Sequence, residues 1–496
     1  MQQLSGLDAT FLDVEDDHQA THISQLVVLD LPHPDADPYT AWRQQLADRL
    51  HLLEPLRRRL VEVPLGLDHP YWISEDPDLD FHVRHSAVPP PGTDDQLDTL
   101  VGRLIAGPMD RDHPLWVSHV ISGLAPTEES PHGRFALLTM VHHAAVDGAS
   151  GAKLLTLMLD DAPDAERPAD AGSWEAEDAP STTGLLGRAA WHGLARPGRA
   201  LLLAARAGQQ VAAATRQPAV IDLADRVRRS LRGPVGDVLN LGRHRDPDAA
   251  MPRLPATPAP PTPFNGPISR YRRFCHRSVP LADVKAVAAE ADVDDVTIND
   301  VVVAACAGAL RTYLLEHDAL PDAPLTALIP VSLRTGDEAD TWTNRVSGTI
   351  ASLPTDVTDP HARLAVAHRA LDAAKAVFAV TPAGLAPDGV DLGAPAVSAL
   401  VSRATMWWST HAVLPFNVVI SNVPGPREPL YIGEARARHY FPVSAIVDGQ
   451  GLNMTVQSYA GSVEIGLLSC ARRVPDVSRL ADLVVAEFAA LRGTAS

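Results

Sequence analysis

The stretch Phe135-Ala136-Leu137-Leu138-Thr139-Met140-Val141-His142-His143-Ala144-Ala145-Val146-Asp147-Gly148 decides the reading of this chain. Its first seven residues form a short apolar run, as a buried strand does, and two histidines stand where the run ends. Behind Asp147-Gly148, residues Ala149 to Leu159 carry helical spacing at Leu154, Leu155 and Met158. Strand, turn, helix is the local prediction, and Gly148 permits the sharp turn between them. Side chains alternate faces along a strand, so adjacent histidines point to opposite sides: one faces a pocket and the other packs.

That geometry discourages a metal site, which would need both imidazoles converging with Asp147, and no third His or Cys stands at a familiar ligand spacing. A serine-hydrolase elbow is also a poor fit, because Gly148-Ala149-Ser150-Gly151 lacks one spacer residue of GxSxG. The competing reading for an isolated pair is two buried histidines satisfied by hydrogen bonds.

Outward from the pair, Ala41 to Leu53 reads as an amphipathic helix and Thr297 to Leu315 as a helix opened by Asn299-Asp300. Leu325 to Val331, Val413 to Ile420 and Gly461 to Leu468 read as strands. An acidic stretch rich in Pro, Ala and Ser, Ala162 to Pro180, and a proline-rich one, Met251 to Pro267, read as linkers. The expected organisation is a mixed α/β half over 1–161, a connecting region over 162–267 and a second mixed half over 268–496. No repeat relates the halves.

Within the connection, Gly184 to Arg232 has no acidic residue before Asp222. Arg188, His192, Arg196, Arg199 and Arg206 share one helical face, with Leu185, Leu186, Trp191, Leu194, Leu201 and Leu202 around the rest, and Pro197 is expected to kink or split the helix. Two readings stand: an interfacial helix drawn to anionic lipid, or a surface helix packed on the body.

The 496 residues allow two or three domains, and 46% hydrophobic against 21% charged residues is globular usage. A net charge of −19 opposes a nucleic-acid footprint. Cys275, Cys306 and Cys470 lie far apart, which suggests neither a disulfide framework nor a zinc site, so a reducing cytoplasm is expected. The acidic N-terminal residues are unlike a secretory signal. The longest wholly apolar run, Val301 to Leu310, is shorter than the roughly 20 residues that span a bilayer, so membrane contact is expected to be peripheral.

His142-His143-Ala144-Ala145-Val146-Asp147-Gly148 matches HHxxxDG, the signature of the CoA-dependent acyltransferase superfamily. More specifically, the chain resembles bacterial wax ester synthase/diacylglycerol acyltransferases. The similar blocks are Leu4-Ser5-Gly6-Leu7-Asp8-Ala9-Thr10-Phe11-Leu12, Pro114-Leu115-Trp116, Asn299-Asp300, Pro330-Val331-Ser332-Leu333-Arg334, Ser421-Asn422-Val423-Pro424-Gly425-Pro426 and the stretch from Gly451 to Tyr459, in order over nearly the whole chain.

The resemblance implies two chloramphenicol-acetyltransferase-like subdomains with mixed sheets, meeting at an active-site tunnel. It implies long-chain acyl-CoA as co-substrate, with no further cofactor and no metal, and diacylglycerol or a long-chain alcohol as acceptor, on an inner membrane surface or lipid droplet. A thioester is already activated, so what the reaction lacks is a stronger nucleophile than a neutral hydroxyl.

By the same resemblance His143 is the general base, His142 is structural, and Asp147 is a geometric residue paired with an arginine, for which Arg57 and Arg59 are candidates. Asn299, with Asp300, and Ser421 or Asn422 are candidates near the oxyanion, although Asn299-Asp300 also reads as a simple helix cap. Pro114, Leu115 and Trp116 either line the tunnel or pack the core. Two rival functions remain at this point: a free-standing condensation enzyme using carrier-bound acyl groups, and a catalytically silent lipid-binding or lipid-droplet protein of the same fold.

Overall fold

The computed structural model describes residues 1–146, 153–163 apart from 155, 165–166, 174–192, 258–332, 346–380 and 414–493. The first half contains β1 (Gln2–Gln3), α1 (Gly6–Asp13), β2 (His22–Asp30), α2 (Pro38–Arg49), β3 (Arg58–Val61), β4 (Tyr71–Ser74), α3 (Leu79–His82), β5 (Val83–Ala87), α4 (Asp94–Leu104), β6 (Trp116–Leu124) and β7 (Arg134–His142). The second contains β8 (Arg272–Pro280), α5 (Leu281–Ala289), α6 (Ile298–Glu316), β9 (Leu325–Ser332), β10 (Val346–Leu353), α7 (Pro360–Val380), β11 (Val418–Val423), β12 (Tyr431–Ile432), β13 (Ala435–Val443), β14 (Leu452–Tyr459), β15 (Ser462–Cys470) and α8 (Val477–Arg492).

Two six-stranded mixed sheets result, ordered β12-β13-β2-β7-β6-β5 and β10-β9-β11-β14-β15-β8, beside a small sheet β1-β4-β3. The strand predicted from Phe135 lies inside the first sheet as β7, paired antiparallel with β2 and with β6. Both of its faces are covered, which is why it reads as a continuous apolar run rather than an alternating one. Leu137 and Val141 join Trp42, Leu46 and Leu50 on one side. Ala136, Leu138 and Met140 face Leu97 and Val101 of α4, together with Phe274 and Leu468 from the second half.

Local chemistry sets the helix starts. Asp37 accepts from the Tyr39 and Thr40 N–H groups to cap α2, with Pro38 in its first turn, so this helix opens earlier than the predicted Ala41 and gives way to a 3-10 turn over Leu50–Leu52. Thr297 and Asp300 form a reciprocal capping box at the start of α6. Among the described residues α6 alone is long and apolar enough by composition to cross a membrane. Its apolar window is 72% buried in the second core, as a core helix is.

The halves are not contiguous in sequence. β12 and β13, from the C-terminal part, complete the first sheet, with Phe441 opposite Leu26 and Tyr440 opposite Val27. Part of the expected linker also belongs to the second half: Phe264 is buried in its core, and Asn265 donates to the carbonyls of Asn417 and Gly449. The Asn417 side chain accepts from the Thr326 N–H, and β11 starts only after it, at Val418 rather than at the predicted Val413.

The crossing of β13 over the second sheet depends on Gly466. A Cβ there would lie 1.8 Å from the Pro442 carbonyl oxygen, and one on Gly102 of α4 would lie 2.9 Å from the Arg272 carbonyl oxygen. Both contacts clamp one half against the other. Gly466→Ala is therefore expected to destabilise the protein by at least about 2 kcal/mol, since backbone rather than a flexible side chain must yield. Denaturant unfolding checks this, and an unchanged midpoint would show that the close crossing is not required.

Candidate active site

The site is built by α1, the start of β2 and the end of β7. Ser5 caps α1 by accepting from the Asp8 N–H. The helix delivers Phe11, whose carbonyl accepts from the Thr21 hydroxyl at 2.9 Å, and the same hydroxyl oxygen lies 3.1 Å from His142 Nε2. A hydroxyl has one proton, already given to Phe11, so His142 Nε2 must be the donor in the second contact. The other ring nitrogen agrees: His142 Nδ1 accepts from the Ala144 N–H at 3.0 Å. Two independent bonds thus assign the Nε2–H tautomer, and both nitrogens of this fully buried ring are spent on the fold.

The turn that follows is closed by the Ala145 N–H on the His142 carbonyl. His143 donates its backbone N–H to the Thr21 carbonyl at 3.0 Å, and its partly exposed ring stacks on Phe11 with centroids 4.1 Å apart and planes within 6°. The two histidines therefore have different surroundings, one locked and one set against an aromatic face.

Beneath His142 lies Glu15. Its carboxylate approaches His142 Nε2 at 3.5 Å, accepts from the Thr21 N–H at 3.3 Å and pairs with Arg111 at 3.1 Å. Burial raises this carboxyl, but hydrogen bonds from His142, the Arg111 guanidinium and the Thr21 N–H outweigh it and hold it at about 2, against an ordinary 4.5. Across the strand pair, His22 is opposite His142. Burial is the main cause that pushes the His22 imidazole down to about 4.

The remaining predicted residues are distributed differently. Asp147 and Gly148 lie outside the described residues. Of the candidate partners for Asp147, Arg59 is paired with Glu75, while Arg57 sits over the Trp174 ring at 4.7 Å and donates to the His51 carbonyl. The tunnel-lining alternative for Pro114, Leu115 and Trp116 gives way to packing. All three are buried, with Leu115 and Trp116 in the first core, where Trp116 stacks on His82 and donates to the Leu56 carbonyl. Leu115 still serves the turn, since its carbonyl accepts from the His142 N–H at 2.9 Å.

Asp300 is fully buried; one carboxylate oxygen serves the capping box and His368, and the other has no hydrogen-bond partner among the described residues. Asn299 beside it is partly exposed. Ser421 and Asn422 are partly exposed near the end of β11, and among the described residues neither side chain has a hydrogen-bond partner.

The expected basic helix is described only to residue 192. His192, placed by its spacing on the exposed basic face, is instead paired with Asp68 at 2.6 Å, and Leu185 and Ala189 pack on Val63 and Tyr71. Arg188 is exposed, while Arg196, Arg199 and Arg206 lie outside the described residues. Sequence reasoning passed over Glu15, Thr21, His22 and Arg111. Of these Glu15 alone left a trace, three residues beyond the Leu4 to Leu12 block.

Sequence profiles of one family match most of the chain: the wax ester synthase/diacylglycerol acyltransferase catalytic domain over residues 4–302 and the C-terminal domain of the same enzymes over residues 342–492. A putative diacylglycerol O-acyltransferase of Mycobacterium tuberculosis is 34% identical over 492 residues, covering 97% of this chain and 88% of the relative. A probable diacylglycerol O-acyltransferase of the same organism is 33% identical over 482 residues, covering 95% of each. Among solved structures, the wax ester synthase/diacylglycerol acyltransferase from Marinobacter aquaeolei superposes with a TM-score of 0.63 at 30% identity over the whole of both chains. The starter condensation domain of rhizomide synthetase, at 12% identity and a TM-score of 0.55 over all of this chain and 95% of that one, shares the fold.

The Glu15 carboxylate generates a pH prediction. Its folded value lies below the ordinary one, so its contribution to stability is complete above about pH 4.5 and is lost as pH falls toward about 2. The amount at stake is on the order of 3 kcal/mol. The stability gap between wild type and Glu15→Gln, measured by denaturant unfolding at stepped pH, is expected to narrow between pH 5 and pH 3. A gap that stays constant over that range would show that the carboxylate is not held ionised.

Proposed function

The chain belongs to the wax ester synthase/diacylglycerol acyltransferase family, and from that premise we propose that it moves a long-chain acyl group from acyl-CoA to diacylglycerol with His143 as general base. The observation that carries the assignment is the division of labour at the turn. His142 has given both ring nitrogens to Thr21 and Ala144, so it cannot exchange a proton without dismantling the turn. His143 is anchored by its backbone N–H on the Thr21 carbonyl and by the ring stack on Phe11, which together set the imidazole in place.

In its neutral form the imidazole has a ring nitrogen that can accept a proton. It takes the acceptor's hydroxyl proton while that oxygen attacks the thioester carbonyl. The tetrahedral adduct then collapses, breaking the carbon–sulfur bond, and the imidazolium returns its proton to the departing CoA sulfur. No covalent enzyme intermediate and no resident cofactor is needed, because the thioester carries the activation. Ser421, Asn422 and Asn299 supply polar side chains suited to an oxyanion. The likeness to diacylglycerol O-acyltransferases of Mycobacterium tuberculosis favours diacylglycerol as acceptor, and the likeness to the Marinobacter wax ester synthase/diacylglycerol acyltransferase favours wax ester synthesis as the parallel reaction.

Such acceptors reside in lipid, and the surface offers a site for it. Leu65, held at φ 60° at the tip of a turn, is 87% exposed, and Trp191 is 72% exposed, with Leu67 and Leu186 also open to solvent. The turn and the helix over 182–192 are joined by the packing of Val63 against Leu185 and Ala189 and by the Asp68–His192 pair, so these side chains belong to one region. Peripheral contact of the protein with a membrane or lipid droplet is assigned to this patch.

With palmitoyl-CoA and either dioleoylglycerol or hexadecanol, His143→Ala is expected to lower kcat on the order of a hundred- to ten-thousandfold. Ester and free CoA are followed together. Turnover equal to wild type would reject His143 as the base, and CoA release without ester would point to hydrolysis.

The double variant Leu65→Ser, Trp191→Ser is expected to bind vesicles of phosphatidylcholine and phosphatidylglycerol several-fold more weakly in a flotation assay. Undiminished flotation would place the lipid contact elsewhere.

A further inference from the structure

Between α4 and the edge of the second sheet lies a cleft of about 710 Å³, lined by α4, β8 and the start of α8, and distinct in chemistry from the apolar patch. Its walls carry Arg103, Arg272, Arg273, Arg277 and Arg472. Two of its carboxylates are already neutralised by neighbours. Asp482 is paired with Arg277 at 2.8 Å, and Asp98 with His276 at 2.5 Å. Burial opposes a charge on His276, but the Asp98 carboxylate overcomes it and raises that imidazole. What is left is four arginines facing Asp95, in a chain of net charge −19.

Arg272 is the unusual member. Its side chain is 7% exposed, yet its guanidinium bonds only to the backbone carbonyls of Ser269 and His18, and among the described residues no carboxylate lies within ion-pair distance. A buried charge without a counter-charge is costly unless an anion answers it. Arg103, Arg273 and Arg472 are exposed above it, and none of their side chains makes an ion pair among the described residues. A largely buried cation, only partly offset by the more distant Asp448 and Asp16, beneath three exposed arginines without ion pairs has the electrostatic form of a phosphate receptor.

The cleft also backs onto the histidine turn. Arg272 donates to the His18 carbonyl at 2.7 Å, in the segment that leads from α1 to Thr21 and His22, and His22 is the strand partner of His142. A CoA thioester carries its phosphates at the opposite end of the pantetheine arm from the acyl group, so a receptor for them belongs beside the reaction centre rather than in it. The geometry points to this arginine cleft as the holder of the adenosine 3′-phosphate and diphosphate of the CoA donor, a substrate-recognition site that rests on the reading of the chain as an acyl-CoA acyltransferase.

The test uses the full chain, with Arg103, Arg273 and Arg472 replaced together by Gln; Arg272 is left alone because its bonds also hold backbone. Two donors are compared, palmitoyl-CoA and S-palmitoyl-pantetheine, which lacks every phosphate. The ratio of kcat/KM for the first over the second is expected to fall at least tenfold in the triple variant. An unchanged ratio would overturn the proposal, as would equal losses on both donors.

Calorimetric binding of adenosine 3′,5′-bisphosphate reads the cleft without turnover. Wild type is expected to bind it and the triple variant to lose at least tenfold in affinity. Absence of binding in wild type, or response to inorganic phosphate alone with no preference for the bisphosphate, would reject the site. Binding of an acidic acyl carrier protein in place of the bisphosphate would do the same. If wild type binds the bisphosphate but makes no ester from either donor, the acyl-transfer reading fails and the anion site stands.

Discussion

Thr21 makes four hydrogen bonds, and the candidate site depends on them. Its N–H donates to Glu15, its hydroxyl to the Phe11 carbonyl, its carbonyl accepts from the His143 N–H, and its hydroxyl oxygen accepts from His142 Nε2. One residue thereby fixes the tautomer of the first histidine, the backbone of the second and the helix that stacks on it. The arrangement works because the hydroxyl is both donor and acceptor in a dry environment, where an unmatched polar group is expensive. An alanine would keep the two backbone bonds and lose both hydroxyl bonds.

Around this knot the structure spends most of its polar groups on holding position. The buried His142 and Glu15 form a network with the partly exposed Arg111, and Leu115 contributes a carbonyl from a tightly packed segment. The network is a stability device and a positioning device at once, which is why lowering pH through the carboxylate range is expected to act on the fold beneath the turn. His143 is the group that this effort presents.

The same economy appears in the joining of the halves. β13 leaves the C-terminal part of the chain to complete the first sheet, and it can lie across β15 only because Gly466 has no side chain. α4 reaches β8 by the same means at Gly102, so the cleft with its arginines is bounded by elements from both halves. A charge pattern that looks dispersed along an acidic sequence becomes local once those elements meet.

The apolar run from Phe135 and the pair that ends it determined a buried strand opening into a turn, but the strand ends at His142 and His143 already belongs to the turn, so strand alternation does not separate the two rings. The Thr297 to Leu315 helix and the mixed α/β class could also be read from local periodicity, because those properties depend on neighbours a few residues apart. The crossover of β13, the burial of Leu115 and Trp116, the capture of Asp300 by His368 and the Glu15–Arg111 pair could not, since each joins residues tens to hundreds of positions apart. Residue type and spacing determined which chemistry was available. Only long-range packing decided which imidazole would be consumed by the fold, because hydrogen-bond partners in a buried site are assigned by tertiary neighbours rather than by the local chain.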